Sequence, residues 1–271
     1  MKKQYKYLKK IILLTIPVII LLNCKSINIK PTRPDYLVFQ DFVEKAKTAD
    51  YYRSEGFIKI KGLSEASAIK LPVPLKIVTL RYQLVTSLKQ GKSILIFSLL
   101  NKKIEIFIED NNYTIIDHMN GLYYQTESSL IEQNIIEKFL GIELNPLKLG
   151  YVLLGTIPYD KSLQLMSDPR KSDDTYKFEI TTQSEKYDLT TTYNGKMQSL
   201  ILSSGEYATI KMHSFKYKLF SDNINLPNSF SVESENSPVS VAISVTQAEI
   251  PKKIEFSDAI IPDNFKPYEL E

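Results

Sequence analysis

Apolar and polar side chains alternate with a period of two along most of this chain, and that alternation limits the fold more than any other feature. In residues 104–109 every second side chain is isoleucine, and in residues 239–246 every second one is valine or isoleucine. Such a period is typical of half-buried β-strands. Asn194 and Gly195 separate two such segments and predict a hairpin, because both residues accept a positive φ. The sequence therefore predicts antiparallel strand meanders.

Helical patterns interrupt these strands in three places. A capping box at residues 129–132 begins one helix. Asn145 and Pro146 begin another, as its cap and its first helical residue. A third is predicted from Asp35, as its cap, to about Tyr52. A strand meander that yields to helices and then resumes describes a sheet wrapped around helices.

The first residues have the composition of an export signal. Residues 1–23 contain five lysines, no acid and an apolar run that is short for a membrane-spanning helix. The run ends with Leu21 three residues before Cys24, which resembles the lipobox of bacterial lipoproteins. We predict lipidation at Cys24, a tether over residues 24–34 and a single domain over residues 35–271. The alternatives are a membrane anchor, or a plain secretory signal with a chance cysteine.

Charge and motifs argue against several functions. Of 34 basic residues, the signal removes five, leaving 29 against 31 acidic residues, so the formal net charge falls from +3 to −2. No nucleic-acid partner is predicted from this balance. The two histidines, His118 and His213, lack zinc-ligand spacing, and there is neither a glycine-rich phosphate loop nor a nucleophile-elbow serine. We predict no catalysis, no metal and no cofactor, with both histidines structural or exposed.

The order of elements behind the lipobox resembles LolB-type outer-membrane lipoprotein receptors, most closely in residues 98–159. That stretch has Gly121 and Tyr123 after a hairpin, a helix that ends in Leu-Gly, a proline-started helix, and Gly155 shortly before Pro158. The resemblance implies an α+β, mainly β fold: an unclosed antiparallel β-barrel wrapped around a few helices with an apolar cavity. It also implies a monomeric, lipid-anchored receptor on the periplasmic face of the outer membrane. Such a receptor binds acyl chains of lipoproteins from a soluble periplasmic carrier and inserts them into that membrane.

The cavity is predicted to be lined by the apolar side of the strands, because a period of two places those residues on one face. Packing against the helices alone would give the same pattern. The predicted lining residues are Ile58, Ile60, Ile104, Ile106, Ile108, Phe178, Ile180, Leu200, Leu202, Val241, Ile243 and Val245.

Leu99 and Leu100 precede a polar turn, although hairpin tips usually carry Gly, Asn, Asp or Ser. The matching loop of the LolB-type family carries an exposed leucine that enters the membrane. By that resemblance the two leucines form a membrane-insertion loop, with Lys102 and Lys103 at anionic head groups. The alternative is that both leucines end a strand and pack on the sheet.

Two other functions fit the same sequence. One is a carrier or sensor of another lipid or apolar ligand on the same fold. The other is a non-catalytic binding or structural outer-membrane lipoprotein that handles no lipid. Depletion of the protein separates them, because only the receptor function predicts mislocalised lipoproteins.

Overall fold

The fold is described from a computed structural model. The structure describes residues 33–62, 77–109, 112–126, 145–203, 209–220, 223–235 and 237–268. Cys24 with its signal, and the helix predicted from residue 129, lie outside the described residues. Residues 34–271 form one compact unit.

The described chain contains two helices and fifteen strands. The helices are α1 (Asp35–Thr48) and α2 (Pro146–Leu153). The strands are β1 (Tyr51–Lys61), β2 (Ile77–Ser87), β3 (Lys92–Leu99), β4 (Lys102–Glu109), β5 (Asn112–Asp117), β6 (Leu122–Thr126), β7 (Gln164–Leu165), β8 (Arg170–Ser172), β9 (Thr175–Thr181), β10 (Lys186–Thr192), β11 (Met197–Ser203), β12 (Ile210–Leu219), β13 (Asn225–Ser234), β14 (Ser240–Glu249) and β15 (Lys266–Pro267).

All strands belong to one sheet with the order β15-β6-β5-β4-β3-β2-β1-β14-β13-β12-β11-β10-β9-β7, and β8 pairs with β9 beside this path. Every pairing is antiparallel except that of β15 with β6, which is parallel. The end strands β15 and β7 do not pair with each other, so the sheet is open. The chain is therefore mainly β, with less helix in its described part than an α+β label suggests.

The sheet curves around helix α2. This helix contacts β2 and β3 on one side and β13 on the other, although β2, β1 and β14 separate β3 from β13 in the sheet. A Cβ at Gly150 would lie 2.8 Å from the side chain of Thr86, and one at Gly155 would lie 3.2 Å from Pro227. Gly155 also has a φ of +72°, which ends the helix. The observed architecture is thus an open barrel.

A β-bulge between β1 and β14 adds to this curvature. The register shifts between Glu55 and Gly56. A Cβ at Gly56 would lie 1.9 Å from the carbonyl oxygen of Ser244 and 3.0 Å from the ring of Tyr82. Only glycine lets the two strands approach this closely, and bulges of this kind increase the local twist of a sheet.

The core lies inside the curved sheet. Helix α1 contributes Val38, Phe42 and Ala46, all buried, and the Thr156 hydroxyl donates a buried hydrogen bond of 2.8 Å to the carbonyl of Phe42. Each fully buried aliphatic side chain contributes about 1.5–3 kcal/mol. The bond from Thr156 ties helix α1 to the segment that follows helix α2.

The structure confirms one predicted helix start and corrects another. The side chain of Asn145 accepts hydrogen bonds from the amides of Leu147 and Lys148, as a cap should. Asp35, by contrast, is not a cap, because the helix starts one residue earlier than predicted and Pro34 holds the cap position. Asp35 instead places its charge in the first turn, where the helix dipole favours an acid. The helix also ends at Thr48, because the chain from Tyr51 onward joins β1.

Candidate functional site

The twelve predicted cavity residues share one interior. They come from β1, β4, β9, β11 and β14, and each is at most 5 % exposed within a single apolar core. The alternation therefore does place these side chains on the inner face of the sheet. That they line a cavity stays a prediction.

A hydroxyl cluster lies in this apolar interior. Tyr52, Ser54 and Tyr82 are all buried, and Ser54 lies next to both phenols. None of the three hydroxyls has a hydrogen-bond partner of normal geometry among the described residues. Burial raises the pKa of both tyrosines far above the usual value. The interior thus contains three adjacent buried hydroxyls whose hydrogen-bonding capacity is not fully used by the described residues. In the sequence, the one indication of this cluster is Ser54, a polar residue at an inward-facing position of β1.

The structure separates the two leucines of the predicted insertion loop. Leu99 is the last residue of β3, pairs with Lys102, and packs partly buried against the core. Leu100 is 93 % exposed at the hairpin tip and has a φ of 56°. In the two-residue loop only Leu100 has a positive φ, at a position that normally carries glycine. Leu100 is thus an exposed apolar side chain on a strained backbone.

The two lysines beside the tip already have partners. The ammonium group of Lys102 donates to the carbonyl of Met119 at 3.0 Å, and that of Lys103 lies 2.8 Å from a carboxylate oxygen of Glu105. These contacts hold the lysines against the protein. Within the β3–β4 turn that the structure describes, the exposed apolar side chain is that of Leu100.

Both histidines take part in contacts between elements. His118 Nε2 lies 2.8 Å from Glu105 Oε2, and its ring meets the edge of Phe265 at 5.1 Å between centroids. His213 Nε2 lies 3.2 Å from Glu233 Oε1. Within the described ranges, no three His, Cys, Asp or Glu side chains stand close enough together to hold a metal ion, and no helix is long and apolar enough to cross a membrane.

The hairpin tip and the helices lie at opposite ends of the strands. Arg81 of β2 pairs with Ser98, two residues before Leu100, whereas Thr86 of the same strand faces helix α2. Five residues of extended strand separate Arg81 from Thr86, which corresponds to about 17 Å. The open barrel therefore has a helix end and a tip end.

A groove of about 480 Å³ lies on the outer face of β1, β2, β3 and β14. Half-buried Ile94 and Ile96 border it, together with Arg53 and Glu249, whose side chains form an ion pair of 3.0 Å. None of the twelve predicted cavity residues borders this groove, but its floor includes Ser54 of the hydroxyl cluster and the buried Ala248.

Comparison with known proteins identifies the fold. No protein-family model and no curated protein matches the chain. A DUF1329 family protein from Desulfovibrio piger has a similar structure: the TM-score is 0.55 at 13 % identity, over 83 % of this chain and 96 % of that chain. A protein domain from Vibrio parahaemolyticus that is named for outer membrane lipoprotein sorting gives a TM-score of 0.48 at 9 % identity, over 81 % of this chain and 93 % of that chain. At such identities the likeness to the first protein shows the fold alone, and membership of the LolB-type family stays a prediction.

Proposed function

We propose that this protein is a lipid-anchored, non-enzymatic receptor that binds acyl chains of lipoproteins and inserts them into the outer membrane. Leu100 is the residue that enters the bilayer. Its exposure at a hairpin tip is the observation that carries the proposal. A leucine in the positive-φ region costs stability without burying its side chain, and strain of this kind is a reason to look for function.

The interior supports the binding half of the proposal. The inward-facing strand residues form an apolar surface that suits acyl chains, which need apolar volume and few directional bonds. The hydroxyls of Tyr52, Ser54 and Tyr82 supply donors for ester or amide carbonyls at the base of those chains. The sequence adds the lipid anchor at Cys24, which by its resemblance to a lipobox would hold the receptor at the membrane.

A carrier of another acceptor-bearing lipid is the second candidate function. The hydroxyl cluster favours it as well, because any lipid with carbonyl groups near its chains would satisfy the same donors. Mass spectrometry of lipid that copurifies with the Cys24→Ala protein separates the two candidates. Acylated lipoproteins support the receptor, and other lipids support the carrier.

The receptor proposal is tested by ligand transfer. The protein is loaded with a fluorescent triacylated lipopeptide, and its transfer to acceptor vesicles is followed. Leu100→Glu should load normally but transfer at least tenfold more slowly, because a charge replaces the residue that enters the bilayer. Leu219→Glu is the matched control, since Leu219 is 56 % exposed and belongs to β12.

Two results would overturn the proposal. Normal transfer by Leu100→Glu would remove the insertion role, and failure of the unaltered protein to load lipopeptide would remove the receptor function. Leu99 is left unchanged, because it packs against the core and a charge there would destabilise the fold.

A further inference from the structure

A pocket of about 270 Å³ lies at the helix end, between helix α1 and the turn that joins β10 to β11. Phe42, whose side chain is buried in the core, lies at its apolar side. Its polar border consists of Asp41, Lys45, Asn194, Lys196 and Asn225.

Lys45 is the unusual member of this border. Its ammonium group lies close to Gly155, 3.6 Å from where a Cβ would stand. Among the described residues it has neither a hydrogen-bond partner nor an ion-pair partner, whereas the half-buried Lys148 is paired with Glu185. Burial lowers the pKa of the Lys45 side chain. An unpaired and partly desolvated cation costs stability, which points to an anion that joins it.

The charges around the pocket indicate what that anion is. Lys45 and Lys196 bring two positive charges and Asp41 brings one negative charge, so the border carries a net charge of +1. The Lys196 ammonium lies 5.3 Å from the centre of the Tyr217 ring, which orients it at the pocket. The amide groups of Asn194 and Asn225 are further donors. This set complements an oxyanion with a single charge better than a doubly charged one.

We propose that this pocket binds a singly charged oxyanion, a carboxylate or a phosphodiester, through Lys45 and Lys196. The anion is either a free small molecule or the head group of an amphiphile whose chain lies along Phe42. The second source rests on the proposed lipid-binding function, whereas the anion site itself does not.

Calorimetric titration of the full-length protein in a neutral detergent tests the proposal with three probes: acetate, octanoate and octanol. Octanoate that binds more tightly than acetate supports a head group, and equal affinities support a free anion. Lys45→Gln should weaken binding of either anion about tenfold or more, which is typical of a lost charged hydrogen bond, and leave octanol unchanged. The control is Lys47→Gln, because Lys47 is exposed on the same helix and should not matter.

Lys45→Gln should also raise the melting temperature of the ligand-free protein, because it removes a partly desolvated charge that has no ion-pair partner among the described residues. If that variant does not fold, Lys196→Gln replaces it in the titrations and should show the same loss of anion affinity. Anion binding that is unaffected by Lys45→Gln and Lys196→Gln, or equally weakened by Lys47→Gln, would overturn the proposal. If the unaltered protein binds octanoate no more tightly than acetate, and Lys45→Gln still weakens acetate binding, the lipid source is rejected and the anion site is kept.

Discussion

Replacing Leu100 by glycine is expected to stabilise the protein while it weakens membrane binding. A non-glycine residue at a φ of 56° costs about 1–2 kcal/mol. Because the side chain is 93 % exposed, its removal sacrifices almost no buried area in the free protein. The greater flexibility of glycine in the unfolded chain cancels about 0.5–1 kcal/mol of that gain. The net stabilisation is then between about 0 and 1.5 kcal/mol, and each kcal/mol corresponds to about 2–4 °C in Tm for a domain of this size.

The effect at the membrane has the opposite sign. Moving a leucine side chain from water into the bilayer contributes about 1.5–3 kcal/mol, so Leu100→Gly should lower the vesicle partition coefficient by about 10- to 150-fold. The measurement is co-sedimentation with phosphatidylcholine vesicles, using Cys24→Ala protein exported behind a cleavable signal so that the anchor does not mask the loop. Neutral lipid keeps the lysines at the tip out of the comparison.

Two controls separate strain from apolar contact. Leu100→Met keeps an apolar side chain at the tip and should bind vesicles to within about twofold of the unaltered protein. Leu219→Gly shortens another exposed leucine and should leave partitioning unchanged. Unchanged partitioning of Leu100→Gly would refute the insertion role, and a lower Tm would refute the reasoning about backbone strain.

Four further outcomes follow from the structure. Replacing Tyr52 and Tyr82 together by phenylalanine should reduce the loss of unfolding free energy with rising pH by about 2.7 kcal/mol per pH unit above pH 10. The folded pKa values of both tyrosines are raised, so the stability that they contribute is complete below the unfolded pKa and is lost as the pH rises above it. An unchanged slope in urea titrations at several pH values would contradict their burial. Gly56→Ala should cost about 3 kcal/mol or more in urea denaturation, because its Cβ meets a carbonyl oxygen, and a loss below about 1 kcal/mol would argue against the tight bulge. Ile243→Glu should cost about 3–5 kcal/mol at pH 7, and near-normal urea stability would mean that the position reaches water. Cys24→Ala should leave the protein unprocessed or unanchored, and full membrane partitioning at the normal processed size would rule out the lipobox.

The predictable parts of this fold are those that local chemistry decides. The alternation at residues 239–246 determined which side chains of β14 face inward, and Asn145 with Pro146 determined where helix α2 begins. Both depend only on residues a few positions apart. The start of β1 at Tyr51 is not evident from the sequence, because Arg53-Ser54-Glu55 reads as polar although Ser54 is buried.

The candidate site was harder to predict, because it depends on pairing between strands. From the sequence, the same role is predicted for Leu99 and Leu100. The register of β3 against β4, however, packs Leu99 partly buried against the core and leaves Leu100 exposed at the tip. The hydroxyl cluster likewise forms because Tyr82 of β2 pairs with Gly56 of β1 and lies over its missing side chain. The pocket at Lys45 requires a helix and a hairpin turn that are distant in sequence.

The two ends of the open barrel give the proposed transfer a direction. The tip end presents Leu100, an apolar group that gains free energy only on leaving water. The helix end presents Lys45, a partly desolvated cation at the pocket to which we assign an anion. An amphiphile with its head group at the helix end and its chains in the interior would point those chains toward the tip. In that orientation the bilayer contact that we propose for Leu100 would receive the chains before the head group leaves the Lys45 ammonium group.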